Sequence, residues 1–390
     1  MKNLKVYLLL FLFAILVSIS GLGCADTPDV DTPEVVDEVV EKVIKIGYTA
    51  PFTGAAAEFG INGWRGIEIA LDEINEEGIV INGEKHVIEI IRYDDLCVPS
   101  DGVAAVNKMI FEDEVVAFLG SHCSSVCMAI AELADQYEIP GLTIECAAEG
   151  VTKPGHEYYF RMLPDMGLVA PLTAKEIFDL LEIKTISFLG VNDDYGKSWV
   201  EGHEEAFAEL GVETLSKDYF ERGSTDYTIL LSKIKGLNPD MVGYVGVTPE
   251  GGMIIQQARE LGLIPEIKFF GAAEFSTYEM LELIGAEALE GTYALSLTTF
   301  PPDFTQKIRD RYNAPLHYAS IFGYDALYVV ADAIERAQSL DPPTIRDYLK
   351  EGTYDTLAGF TEFRDFDGYT NQGVYSPYIV EWVDGEMKFY

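Results

Sequence analysis

The chain has 390 residues, of which 48% are aliphatic, aromatic, Met or Cys, and a formal net charge of −38. That length allows two domains of ordinary size, each with a sizeable core. The acidic excess excludes nucleic acid and anionic lipid as natural partners, since both are repelled before contact, and any bound anion must be held by local dipoles.

The N-terminus reads as an export signal. Lys2 and Lys5 precede an apolar run over 6–19, too short for a comfortable membrane span, and small residues lead up to Cys24. Residues 1–23 resemble a lipoprotein signal, in which Cys24 becomes the lipidated first residue, anchored to the outer face of the membrane. From Ala25 to Val40 the chain carries no Lys or Arg and is rich in Asp, Glu, Thr, Pro and Val. Such a composition cannot pack a core, so 24–42 is expected to be an extended acidic tether.

Residues 43–50 alternate as a first strand and Pro51 to Gly54 turn out of it. Trp64, Ile67, Ala70, Leu71 and Ile74 then recur at helical spacing over 63–77. Asn82-Gly83 marks a turn into a strand over 86–93 that ends at Asp94-Asp95-Leu96-Cys97, and 103–110 is helical. The organising stretch follows. The apolar run 115–119 is a buried strand, Gly120-Ser121-His122-Cys123 is a tight turn, and Ser124-Ser125 open a helix to Tyr137. At such a helix start, unpaired N–H groups and two hydroxyls can converge on a small anion such as a carboxylate.

A strand over 140–144 closes this half, and the same rhythm restarts near Ala170. Strands over 185–190, 211–219, 241–245 and 267–271 alternate with helices over 172–181, 198–210, 226–235 and 251–261. A strand over 291–297, helices over 319–337 and 343–349, and a hairpin turning at Asp384-Gly385 complete the chain. This alternation predicts an α/β fold of two similar lobes with parallel sheets. Ligands then collect outside the carboxyl ends of the strands, in a cleft between the lobes.

Enzyme signatures are scarce: there is no GxxxxGK[ST], HExxH, GxSxG or strand-linked GxGxxG. His122 beside Cys123 is not a nucleophile pair, because adjacent side chains diverge, and His122, Cys123 and Cys127 lack the second knuckle of a closed zinc site. Asp365, Asp367 and Gly368 fit a turn between strands better than a calcium loop. No metal or cofactor is expected. In an exported chain the four cysteines beyond Cys24 allow three disulfide pairings. Cys97 and Cys123 both lie at strand ends on one sheet edge, which makes that pair reasonable and leaves Cys127 and Cys146 to pair or stay free.

Asp94-Asp95-Leu96-Cys97, Phe118-Leu119-Gly120-Ser121-His122-Cys123-Ser124-Ser125, Asp194-Tyr195-Gly196-Lys197 and Gln257-Ala258-Arg259-Glu260-Leu261-Gly262-Leu263 are similar to the leucine/isoleucine/valine-binding proteins. These are type I periplasmic solute-binding proteins that hand amino acids to the permease subunits of ABC transporters. The resemblance runs from about Val43 to the end. It implies two Rossmann-like lobes, 43–162 plus 293–372 and 163–292 plus 373–390, joined by three crossings near 162–165, 290–292 and 372–374. It also implies the Cys97–Cys123 disulfide, a ligand carboxylate on Ser124, beside which the helix-start reading sets Ser125, Tyr195 covering the ligand, Glu274 pairing with the ammonium, and binding without turnover. Phe59 and Trp64 would wall the side-chain pocket, although Trp64 also fits the core beside Ile67 and Leu71. One departure stands out: Ala147 replaces a hydroxyl residue in Ile144-Glu145-Cys146-Ala147-Ala148, and Glu145 becomes a second candidate for the ammonium. The loss of that hydroxyl opens the alternatives of an amide, urea-like or aromatic acid ligand. A ligand sensor with a separate signalling partner, and a hydrolase built on the same fold, are the other classes.

Overall fold

The structure, a computed structural model, describes residues 42–153 and 155–390. The expected export signal, Cys24 and the expected tether up to residue 41 lie outside the described residues. The first strand, β1 (Lys42–Ala50), begins at the last residue expected of the tether.

Two sheets organise the chain. The first contains β1, β2 (Ile79–Ile81), β3 (Glu84–Asp94), β4 (Ala117–Leu119), β5 (Gly141–Thr143) and β6 (Tyr159–Arg161). The second contains β7 (Thr185–Val191), β8 (Glu213–Phe220), β9 (Met241–Val245), β10 (Lys268–Gly271) and β11 (Tyr293–Ser296). The chain then returns to the first sheet with β12 (Phe363–Phe366) and β13 (Tyr369–Gly373), and ends in the second with β14 (Tyr378–Val383) and β15 (Glu386–Phe389). The spatial orders are β12-β13-β6-β5-β4-β1-β3-β2 and β15-β14-β11-β10-β9-β7-β8. In each sheet the central pairs are parallel and the antiparallel pairs lie toward the edges.

β1 sits between β3 and β4, with Ile46 opposite Ala117. Ile44, Ile46, Tyr48 and Ala50 are all buried. An apolar run buried in this way is what a parallel strand covered by helices requires. On one face the Ala57–Glu77 helix packs against the Tyr318–Ala337 helix. Their axes approach closely because Gly66 lies against the Ser320 carbonyl, where any Cβ would collide.

The sheet membership corrects the expected second crossing. β11 pairs in parallel with β10 and antiparallel with β14, so residues 293–296 belong to the second lobe and the chain crosses after Ser296. Several elements carried no usable pattern, three places among them. β6 is three residues long and ends in Arg161; the Pro302–Tyr312 helix buries only Phe304 and Ile308; the β12–β13 hairpin was visible only as its Asp367-Gly368 turn.

Candidate functional site

The site begins at the carboxyl end of β4. Gly120 takes φ +107°, and a Cβ there would collide with the Thr49 carbonyl, so only glycine lets the chain turn against β1 at this point. Asp95, buried in the loop after β3, accepts hydrogen bonds from the Ser121 hydroxyl (2.7 Å) and the Cys97 N–H (2.9 Å). Cys97 is disulfide-bonded to Cys123 (S–S 2.03 Å). Cys127 and Cys146 form a second disulfide.

The disulfide has a direct consequence for the helix that follows. Cys123 is the N-cap of the Ser124–Tyr137 helix and makes no side-chain capping bond, since its sulfur is committed to Cys97. The first amides of that helix are therefore left for another acceptor. The Ser124 hydroxyl oxygen accepts from the Ala148 N–H at 3.2 Å, which leaves its proton free to donate.

On the same lobe His122 bonds Tyr48 through Nε2 (2.7 Å) and Glu145 through Nδ1 (2.8 Å). Phe59 stacks on the His122 ring. Glu145 is buried, its Oε2 is held by His122, and its Oε1 has no hydrogen-bond partner among the described residues. Burial pushes its carboxyl up from the ordinary range, and His122 opposes that rise.

The second lobe supplies the facing wall. Asp193 caps the Asp194–Glu209 helix by accepting from the Gly196 N–H (2.9 Å) and also pairs with Arg222. Tyr195, in the first turn, donates to Glu274 at 2.8 Å. Glu274 lies in the turn after β10, and burial pushes its carboxyl up to about 7, against hydrogen bonds from its own backbone and Tyr195. Nearby Glu145 adds to the rise and Arg222 resists it.

These groups line one cavity. Ser124, Ser125, Glu145 and Ala147 reach it from the first lobe, and Tyr195 and Glu274 from the second. The cavity is small, about 40 Å³. Phe59, Leu163, Met166, Leu295 and Leu297 give it apolar walls, and Tyr318 closes one side. Trp64 is not among the lining residues. Five positions beyond Phe59 is about 140° round the helix, and there it stacks on Tyr48 with the Arg92 guanidinium 3.9 Å above its ring. Arg222, Tyr318, Leu295 and Leu297 gave no sequence signal as cavity residues, whereas His122 is visible but fits neither a nucleophile pair nor a zinc site.

Two sheets of mainly parallel strands, with a small cavity of apolar walls and a few polar groups at their facing carboxyl ends, define a two-lobed binding module. The chain belongs to the Periplasmic binding protein family, whose sequence profile matches residues 43–386. The "Leucine-, isoleucine-, valine-, threonine-, and alanine-binding protein" of Pseudomonas aeruginosa is 28% identical over 321 residues, covering 81% of this chain and 84% of that protein. The "Leu/Ile/Val-binding protein" of Escherichia coli is 27% identical over 323 residues, covering 81% and 85%. Among solved structures, a leucine-binding protein from Thermotoga maritima superposes with a TM-score of 0.78 at 24% identity over 89% of this chain and 97% of its own. A Rhodopseudomonas palustris solute-binding protein in complex with benzoate gives 0.79 at 18% identity, over 89% and 95%. These likenesses establish the fold as that of the type I periplasmic binding proteins.

Proposed function

We propose that this protein is the solute-receiving component of an ABC importer and that it takes a branched-chain or other hydrophobic amino acid between its lobes. The observation that carries this reading is the uncapped start of the Ser124–Tyr137 helix facing the Tyr195–Glu274 pair across a cavity with apolar walls. The helix amides and Ser124 hydroxyl suit a carboxylate, Glu274 an ammonium, and Phe59, Leu163 and Leu295 an aliphatic side chain. The names of the Pseudomonas and Escherichia relatives support the same class.

Ligand contacts from both lobes favour the closed arrangement, to the extent that the ligand binds the closed form more tightly than the open one. The permease then recognises the closed face, and nothing is turned over. In this reading the chain is exported and held at the outer face of the membrane by lipid on Cys24, with residues 25–41 as the tether. A second reading, an aromatic acid or amide as ligand, is favoured by Ala147 in the place of a hydroxyl residue and by the benzoate complex of the Rhodopseudomonas neighbour.

A thermal-shift panel of amino acids, amides and aromatic acids separates the two. A ligand at about 100 times its Kd adds about 2.7 kcal/mol to stability. A hydrophobic amino acid is expected to give that shift, and Ser124→Ala and Tyr195→Ala are each expected to remove it while leaving the unliganded melting temperature within a few degrees. Retention of wild-type affinity by both variants would place the ligand elsewhere.

A further inference from the structure

Three carboxylates line the cavity, and Asp193 is paired with Arg222; the remaining two, one more than an ammonium needs, come from opposite lobes. Glu274, on the second lobe, is engaged by the Tyr195 hydroxyl. Glu145, on the first, has a side chain only 3% exposed; His122 fixes one oxygen and the other is unpartnered. An acceptor left bare in a buried wall is costly unless something donates to it. A purely structural Glu would spend both oxygens on the protein, as Asp325 does in accepting from the Leu357 and Ala358 N–H groups. The two acids also sense each other: Glu145 is among the causes that raise the Glu274 carboxyl, and both raise the Tyr318 hydroxyl beside them. Closing the lobes thus brings two carboxylates toward one small space, an arrangement that like charge opposes and a cation between them relieves.

We propose that Glu145 and Glu274 form a two-carboxylate seat, one acid from each lobe, for a single cationic nitrogen, so that the solute must carry an ammonium group to close the cleft. The proposal rests on the reading of this cavity as the solute site. It narrows that reading, because aromatic and aliphatic acids without an amine are excluded. An ammonium has three donors, enough for Glu145 Oε1, Glu274 and one further acceptor. Glu145 is then a specificity-determining residue acting by direct contact, oriented by His122.

The test is isothermal titration calorimetry on wild type, Glu145→Gln and Glu274→Gln. The probes are the twenty amino acids, the des-amino acid of any that binds, and benzoate. At least one amino acid is expected to bind wild type, its des-amino partner and benzoate are not, and each variant is expected to weaken the amino acid roughly tenfold or more, the loss of one charged hydrogen bond. Glutamine keeps the shape, so Glu145→Gln should fold with an unchanged circular dichroism spectrum. If it does not fold, the comparison of amino acid with des-amino acid on wild type decides alone. Binding of the des-amino acid or benzoate comparable to that of the amino acid, or an undiminished affinity in Glu145→Gln, overturns the two-acid seat and leaves the solute site standing. No binding by any probe to wild type overturns both.

Discussion

At the scale of single residues, the role proposed for Glu274 predicts pH-dependent binding. Its carboxyl ionises only above about 7 in the closed cavity, against about 4.5 for an unperturbed Glu. The groups facing it are Glu145 with its partner His122, Asp193, Arg222, Tyr195 and Tyr318. Because the folded form holds this proton more tightly than the unfolded chain, the stability contributed by Glu274 is present at low pH and is lost as pH rises from about 4.5 through about 7. Affinity for a cationic ligand runs the other way. It should rise with pH toward 7 and level off above, as the carboxylate forms. Calorimetric titrations from pH 5.5 to 8.5 are expected to show this rise in wild type and its loss in Glu274→Gln; a flat wild-type profile would mean that Glu274 does not meet the cation.

Between elements, the junction of the lobes depends on a residue that is fully buried and charged. Arg161, at the end of β6, donates to Asp165 in the first crossing (2.9 Å) and to Gln372 in β13 (2.8 Å). It also donates to the Cys146 and Ala148 carbonyls of the cavity loop. Gln372 in turn donates to the Leu163 carbonyl, so the first and third crossings are tied through one guanidinium. Removing it would strand Asp165 without its charge partner inside the protein. Arg161→Ala is expected to cost about 3–5 kcal/mol, the range for breaking a buried pair from one side, measured by urea unfolding; Arg161→Lys, which keeps the charge but not the planar fork, should fall between. A loss below about 1 kcal/mol would show that the junction does not depend on this network.

The same element scale shows what a sequence can disclose. β1, β7 and β9 are apolar runs of the kind that parallel sheets bury, and their periods and bounding turns located them within a residue or two. β6 escaped because its tertiary neighbours, not its own three residues, make it a strand and keep Arg161 inside it. The cavity divides in the same way. Ser124, Ser125, Tyr195 and Glu274 stand in loops or helix starts after strands, where the alternation of elements predicts a ligand edge. Arg222, Leu295 and Leu297 reach the cavity only because two distant segments fold against it. Trp64 took the core alternative of its two readings, since helical spacing fixes which residues share a stripe and not which neighbour that stripe meets.

For the whole molecule, closure is supported outside the cavity as well. The Thr248 N–H, at the start of the Thr248–Glu260 helix of the second lobe, donates to Glu58 of the first at 2.8 Å, and Asn62 donates to Glu279 at 3.2 Å. These bonds join the lobes at one rim, and a ligand in the cavity would add contacts at the centre. The large negative charge of the chain leaves a carboxylate dependent on the helix-end amides, while a cation is favoured by the field and by the local acids alike.

The most direct measurement is a crystal structure of the protein grown with the amino acid that gives the largest thermal shift. The account predicts that amino acid between the lobes, its carboxylate within hydrogen-bond distance of Ser124 and Ser125 and its nitrogen on Glu274 and Glu145. A ligand bound outside the cleft, with the two serines open to bulk water, would contradict it.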